Sequence, residues 1–296
     1  MVAVGQKRFP NVAIGSISAD SPGRGRIAFM PKKIALISRD WLTAKSGASD
    51  DFSDKDMGFS PYFKDISHAA SKAGVDTLLF CLGSHDASKL GELSHVDLFP
   101  IGTVHQCVIL GIKRKNGERV EIHIRAEKSA YKSFTQEFGK SSAKKELKNN
   151  LRAALSADDS NRIVGQAVIL ACGETNIIQT RREPKGQIDD PYGCLSTLRS
   201  KNIQLLLNPI HTYMRRWEMG LKRAALSKAA RTVVCVWNRT NSGEAHNPWA
   251  AFHKGRSIEI EEIQPIPPIP KQPGIRIGVL ELPRDEAIGD QAMPHK

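Results

Sequence analysis

The side chains best placed for chemistry lie at Cys172-Gly173-Glu174. They follow a run, Ile163 to Ile169, that is mostly apolar and β-branched and therefore reads as a short buried strand. The chain leaves that run through Leu170 and Ala171, which presents a thiol at the carboxyl end of an interior strand. A thiol there is a candidate nucleophile. Gly173 permits a sharp turn and close backbone approach, and the N–H groups of such a turn can meet a developing oxyanion. The competing reading is that Cys172 is a buried, inert thiol packed as a small apolar side chain.

Composition bounds what surrounds this segment. The chain has 296 residues, 40% hydrophobic and 25% charged, enough for one large α/β domain or two ordinary ones, with an ample core. Its five cysteines, Cys81, Cys107, Cys172, Cys194 and Cys235, are irregularly spaced and form neither a disulfide framework nor a metal-type pair. No metal or cofactor is expected, and a reducing, cytoplasmic setting is the simplest one. The first thirty residues hold no continuous apolar core and no run of about 18 apolar residues occurs, so neither leader nor membrane span is expected. Net charge is +12, but the basic residues are spread out and only 6% of residues are aromatic. That pattern argues against a nucleic-acid partner and for a solvated basic surface.

The elements that must position the thiol follow from periodicity. Residues 1–31 read as an N-terminal extension, 32–283 as the domain and 284–296 as a tail. Ile34 to Ile37 is a strand. Ser60 and Pro61 open a helix whose inner face is Phe63, Ile66, Ala69, Ala70 and Ala73, with Gly74 ending it. Val75 to Leu82 is a strand buried on both faces. Gln106 to Lys113 and Arg119 to Arg125 flank Asn116-Gly117 as a β-hairpin, with His123 on an exposed face. Lys140 to Arg152 forms an amphipathic helix with a basic outer face. Beyond the cysteine come a loop from Thr175 to Pro191, a short helix from Gly193 to Lys201, and a strand from Ile203 to Leu207 stopped by Asn208-Pro209. A long helix, Tyr213 to Arg231, carries Met214, Trp217, Leu221, Ala224 and Ala225 on one face. Strands Thr232 to Trp237, Ser257 to Ile263 and Ile275 to Leu282 complete an α/β sandwich.

The ordered set resembles the nitrilase superfamily of carbon-nitrogen hydrolases. The resemblance is carried by Lys33-Ile-Ala-Leu-Ile37, Gly74-Val-Asp-Thr-Leu-Leu-Phe80, Val164 to Glu174, Leu205-Leu-Leu-Asn208-Pro209, the helix with Trp217, Val233 to Asn238, Gly255-Arg-Ser257 and the strand from Ile275 to Leu282. It covers roughly residues 33 to 282. It implies a four-layer α-β-β-α sandwich and a Glu-Lys-Cys constellation acting on a small-molecule amide or nitrile. In that chemistry the thiol attacks, a carboxylate is the base and a lysine stabilises the oxyanion.

Cys172 then matches the nucleophile and Glu174 an acidic catalytic position. Lys128 is the preferred lysine, with Lys132 as the alternative. Where the family carries its base the sequence reads Cys81-Leu82-Gly83, with no glutamate, and the family's acid in the long helix falls near Ala229, where none is present. His85 and Asp86, just beyond the vacant position, are substitutes for the base. Asn208 and His211, with His85, would line the substrate mouth. Two functions stay open: a divergent hydrolase using Cys172 through a thioester, or a catalytically silent member that binds a ligand or protein partner. The resemblance also implies a homodimer paired through elements after the nucleophile strand.

Overall fold

The computed structural model describes residues 30–40, 62–82, 102–104, 106–108, 112–113, 120–126, 129–181, 186–212, 217–239, 247–264 and 274–283. Strand β1 (Lys33–Arg39) leads to helix α1 (Phe63–Lys72), which buries Phe63, Ile66, Ala69 and Ala70, and Gly74 follows it in the left-handed region. Next come β2 (Thr77–Phe80), β3 (Gln106–Val108), β4 (Ile112–Lys113), β5 (Val120–Ala126) and β6 (Ser129–Thr135). Helix α2 (Lys145–Ser156) precedes β7 (Ile163–Val164) and β8 (Ala167–Ile169), and a 3-10 turn spans Cys172–Ile177. The short strands β9 (Gln179–Thr180) and β10 (Ile188–Asp189) pair with each other. Helix α3 (Cys194–Ser200), β11 (Leu205–Thr212), helix α4 (Trp217–Leu226) and β12 (Thr232–Asn238) follow. The described chain closes with β13 (Trp249–His253), β14 (Arg256–Ile258), β15 (Glu261–Ile263) and β16 (Ile275–Glu281).

Among the described residues the strands form two large sheets. The first has the order β15-β16-β1-β2-β3-β5-β4, with β6 on β5, and the second β14-β13-β12-β11-β8-β7. The second sheet shows how sequence alternation builds layers. Along β12, Val234 and Val236 enter the core shared with the first sheet, while Val233, Cys235 and Trp237 enter a core shared with α2, α3 and α4. Strands β8 and β11 split the same way, Ala167, Ile169, Leu205 and Leu207 facing inward and Val168 and Leu206 outward. Successive side chains on a strand point to opposite faces, so a continuously apolar strand is covered on both. Residues Ile34 to Ile37 are likewise all fully buried, and α1 packs into their core. The result is the expected four-layer α-β-β-α sandwich. Each fully buried Leu, Ile or Val in it contributes about 1.5–3 kcal/mol of transfer free energy.

Several expected elements are corrected. The run from Ile163 to Ile169 is a tight hairpin rather than one strand, because Gly165 takes a left-handed φ of 58° and Val164 pairs antiparallel with Ala167. Asn208-Pro209 does not stop β11. Pairing with β8 ends at Leu207, so the N–H missing at Pro209 interrupts no bond to that strand, while Pro209 stays in register with Val236. The long helix ends earlier and is rotated: α4 buries Met219, Lys222, Arg223, Ala225 and Leu226, while Trp217 is 54% exposed. Its chain turns after Leu226, where Ala229 has a φ of 59°, so Ala229 lies outside the helix. Lys148 belongs to the inner side of α2, its ammonium donating to the Ser141 carbonyl and lying over the Tyr192 ring. Strands β6 and β13 were not anticipated. The hairpin register holds, Lys113 opposite Val120 and Gln106 opposite Ala126, with its first arm in two pieces. No helix among the described residues is long and apolar enough to cross a membrane.

Candidate active site

Cys172 is the first residue of the 3-10 turn that leaves β8, and its φ is 46°. A left-handed conformation at a residue with a side chain costs about 1–2 kcal/mol, so the surroundings must hold it. They do so from four directions. Asn208 on β11 donates its side-chain amide to the carbonyls of Leu170 and Cys172, the latter at 3.1 Å. Asn176 donates to the Gly173 carbonyl at 2.8 Å, and Lys222 on α4 donates to the Asn176 side-chain oxygen at 2.7 Å. Gln136 donates to the Ala171 carbonyl at 3.3 Å. Gly173 packs so closely on Gly139 that a Cβ would run into the Gly139 carbonyl.

Glu174 supplies the largest grip. Its carboxylate takes both forks of Arg162, Nη1 to Oε2 at 2.7 Å and Nη2 to Oε1 at 3.0 Å, and accepts the N–H groups of Ala171 at 2.8 Å and Glu137 at 2.7 Å. Burial pushes this carboxyl up, against Arg162 and the two N–H donors that favour its ionised form. With zero exposure and four donors, the group faces main chain and Arg162. The geometry therefore assigns it to holding the turn. Arg162 itself donates to the Thr135 carbonyl and stacks over the Phe134 ring, which anchors β6 to the site.

The thiol is half-buried and packs against both cores. Burial raises its pKa above the ordinary value; the main-chain N–H groups of His211 and Gly173 lower it, while the charge of Glu174 raises it further. Burial and that charge thus favour the protonated thiol, and the two main-chain donors favour its ionised form.

The carboxyl ends of β1, β2, β11 and β12 converge here. Leu82, at the position expected for a base, is 1% exposed and apolar; its N–H donates to the Ile210 carbonyl. Asn238 donates to the carbonyls of Leu82 and His211. Cys81 donates its thiol to Asn238, and burial pushes that thiol up to about 12. Arg39 and Asp40, both buried, and Arg239 extend this rim, with Arg239 and Asp40 paired at 2.8 Å.

Of the residues singled out from sequence, the structure brings Cys172, Glu174, Asn208 and His211 together. Asn208 is fully buried, and its amide clamps the turn that carries Cys172. Lys132 donates to the Ile163 carbonyl at 2.9 Å and to that of Ser160 at 3.5 Å, so its ammonium supports β7. Lys128, His85 and Asp86 lie outside the described residues. His123 is half-buried between Ile122 and Ile124. Sequence reading missed Arg162, Asn176, Lys222 and Asn238. The signal available for Asn238 was its polarity at the end of an apolar, buried run, whereas Arg162 follows the polar stretch Asp158-Asp159-Ser160-Asn161.

No family model and no curated protein matches the sequence. Among solved structures, the chain is similar to a variant of the amidase from Nesterenkonia sp. AN1 carrying the acetamide moiety of fluoroacetamide on its active-site cysteine, at 12% identity and a TM-score of 0.44, covering 84% of this chain and 90% of that one. It is similar to a CN-hydrolase superfamily protein from Xanthomonas campestris, at 9% identity and a TM-score of 0.36, covering 85% and 90%. It is also similar to a glutamine-dependent NAD(+) synthetase from Cytophaga hutchinsonii, at 12% identity and a TM-score of 0.40, covering 78% of this chain and 40% of that one.

Proposed function

We propose that the chain is a thiol-dependent hydrolase of a carbon-nitrogen bond other than a peptide bond, an amide, nitrile or carbamoyl group in a small molecule. The observation that carries this reading is the left-handed Cys172, held at the meeting point of the strand ends by Asn208, Asn176 and the Glu174–Arg162 pair. Strain of this kind persists only where the surroundings over-determine it, and it concentrates at functional sites. For an amide, the sulfur bonds to the carbonyl carbon as the thiol proton passes to a base. The tetrahedral oxyanion then collapses, the C–N bond breaks, the amine leaves with a proton, and a thioester remains. Water attacks the thioester carbon, releasing the acid and restoring the thiol. Lys128 is the proposed oxyanion partner, and His85 or Asp86 the proposed proton acceptor.

The test is incubation with a panel of small amides, nitriles and carbamoyl compounds, followed by peptide mass spectrometry and ammonia assay. The expected result is an acyl mass on Cys172, ammonia release, and loss of both in Cys172→Ala. Absence of any acyl-enzyme and of ammonia across the panel overturns the reading.

A second reading, a ligand-binding chain without turnover, is favoured by apolar Leu82 at the base position and by the sealed carboxylate of Glu174. It expects binding that Cys172→Ala leaves intact, with no product from either protein.

A further inference from the structure

The two sheets are joined at the site by more than apolar packing. Leu82 N–H, at the end of β2, donates to the Ile210 carbonyl of β11 at 3.1 Å, and Arg239 N–H, at the end of β12, donates to the Arg39 carbonyl of β1 at 2.8 Å. Asn238 completes the seam. Its Nδ2 donates to the Leu82 carbonyl at 2.7 Å and to the His211 carbonyl at 2.9 Å, while its Oδ1 accepts the Cys81 thiol at 2.9 Å. Both amide protons and the oxygen are engaged, and the residue is 4% exposed.

The peptide unit between Ile210 and His211 is the consequence. Its carbonyl is held by Leu82, and its N–H, on the opposite side of the same plane, is one of the two main-chain donors that favour the ionised form of the Cys172 thiol. The next carbonyl along, that of His211, is held by Asn238.

We propose that Asn238 is a positioning residue for the Cys172 centre: by tying the carbonyls of Leu82 and His211 together, it fixes the stretch of β11 main chain that offers its N–H to the sulfur. Without the tie, the His211 carbonyl loses its partner, the backbone on either side of the His211 Cα relaxes about the Leu82–Ile210 bond, and the N–H loses its hold on the thiolate. The charged groups bearing on that thiol are Glu174 within its own turn and Arg162 paired to it, while His211 acts through its main-chain N–H and has its carbonyl held by the Asn238 side chain. The proposal rests on Cys172 being the reactive group of the proposed function, and not on turnover itself.

The experiment is iodoacetamide labelling of Cys172 across pH 6 to 10, read by peptide mass spectrometry on the full chain. Asn238→Ala is expected to move the labelling midpoint up by about one pH unit, about tenfold slower labelling below the midpoint. Ser38→Ala is the control. Ser38 Oγ donates to the Trp237 carbonyl at 2.6 Å, so it also joins the sheets but does not touch the Ile210–His211 peptide. It is expected to lower the melting temperature and leave the midpoint in place. Equal shifts in the two variants, or none in Asn238→Ala, overturn the proposal.

If Asn238→Ala does not fold, Cys81→Ala and Cys81→Ser decide. The alanine removes the donor that holds Asn238 Oδ1 and is expected to slow labelling about threefold, while serine keeps a donor and restores the rate. Identical profiles for the two overturn it. A labelling shift without amide turnover removes the hydrolase reading alone; turnover with labelling untouched by Asn238→Ala removes the positioning role alone.

Discussion

Arg162 and Glu174 face one another as a two-pronged pair at the turn that carries Cys172, at 2.7 and 3.0 Å, with side-chain exposures of 3% and 0%. The pair joins the residue before β7 to the turn after β8, so it spans the hairpin whose end carries Cys172. Desolvating two charges is costly, and breaking such a pair strands the survivor in a low-dielectric interior.

Arg162→Met is therefore expected to destabilise the fold by about 3–5 kcal/mol. Glu174→Gln, which keeps the shape and accepts fewer charge-assisted bonds, is expected to cost less. Urea unfolding at pH 7 ranks the two variants, and equal or negligible costs would contradict the assignment of Glu174 to holding the turn.

Alkaline pH should weaken the fold through its buried thiols. Burial lifts Cys81 and Cys194 from 9.0 to about 12. Because each folded-state value is raised, the stabilisation is complete below the unfolded value and is lost as pH rises from about 9 towards 12. At pH 10.5 each thiol should cost about 2 kcal/mol relative to pH 8. Urea midpoints at the two pH values, compared with those of Cys194→Ala, measure this; the variant should lose less on the alkaline side.

Gly173→Ala should disturb the site without changing any charge. The added methyl meets the Gly139 carbonyl, a main-chain atom that cannot swing away. Overpacking of this sort costs about 1–3 kcal/mol. A melting temperature equal to that of the parent would contradict the close approach.

Asn208 separates clamping from charge. Asn208→Ala leaves the Leu170 and Cys172 carbonyls without their shared donor and should cost about 1–3 kcal/mol. Asn208→Asp sets an anionic oxygen against those two carbonyls and should cost more. Urea unfolding of both variants checks the order.

Much of the architecture was legible because the strands are apolar on both faces. The runs at Ile34, Leu78, Leu205 and Val233 admit few alternatives to buried strands, and the alternation of Val233 to Trp237 matches the two cores residue by residue. What was hidden depended on partners distant in sequence. Pro209 reads as a stop until the neighbouring strand is seen to have ended already. On α4, Lys222 and Arg223 lie off the apolar face that the sequence pattern marks, yet they bury their stems and aim their heads at Asn176 and the Trp237 ring.

The site divided along the same line. Cys172 was legible because a thiol followed by glycine at a strand end is a local pattern. The side chains that hold it, Arg162 twelve residues from Glu174 and Lys222 forty-six from Asn176, act through pairings that no window of local sequence contains. Glu174 illustrates both halves: its proximity to the thiol was readable, and its engagement by four donors was not.

Sheet order also constrains how the chain assembles. β1 lies between β2 and β16, with Lys33 opposite Glu281 and Arg39 opposite Ile275, so the opening strand of the described chain has no second neighbour until the closing strand exists. During synthesis, Ile34 to Ile37 must wait with one edge uncovered through some two hundred and forty residues of elongation, a long-range closure of the slow-folding kind. A chain ending before Ile275 would leave that edge open to other chains, making it a template for aggregation and not merely a shorter protein.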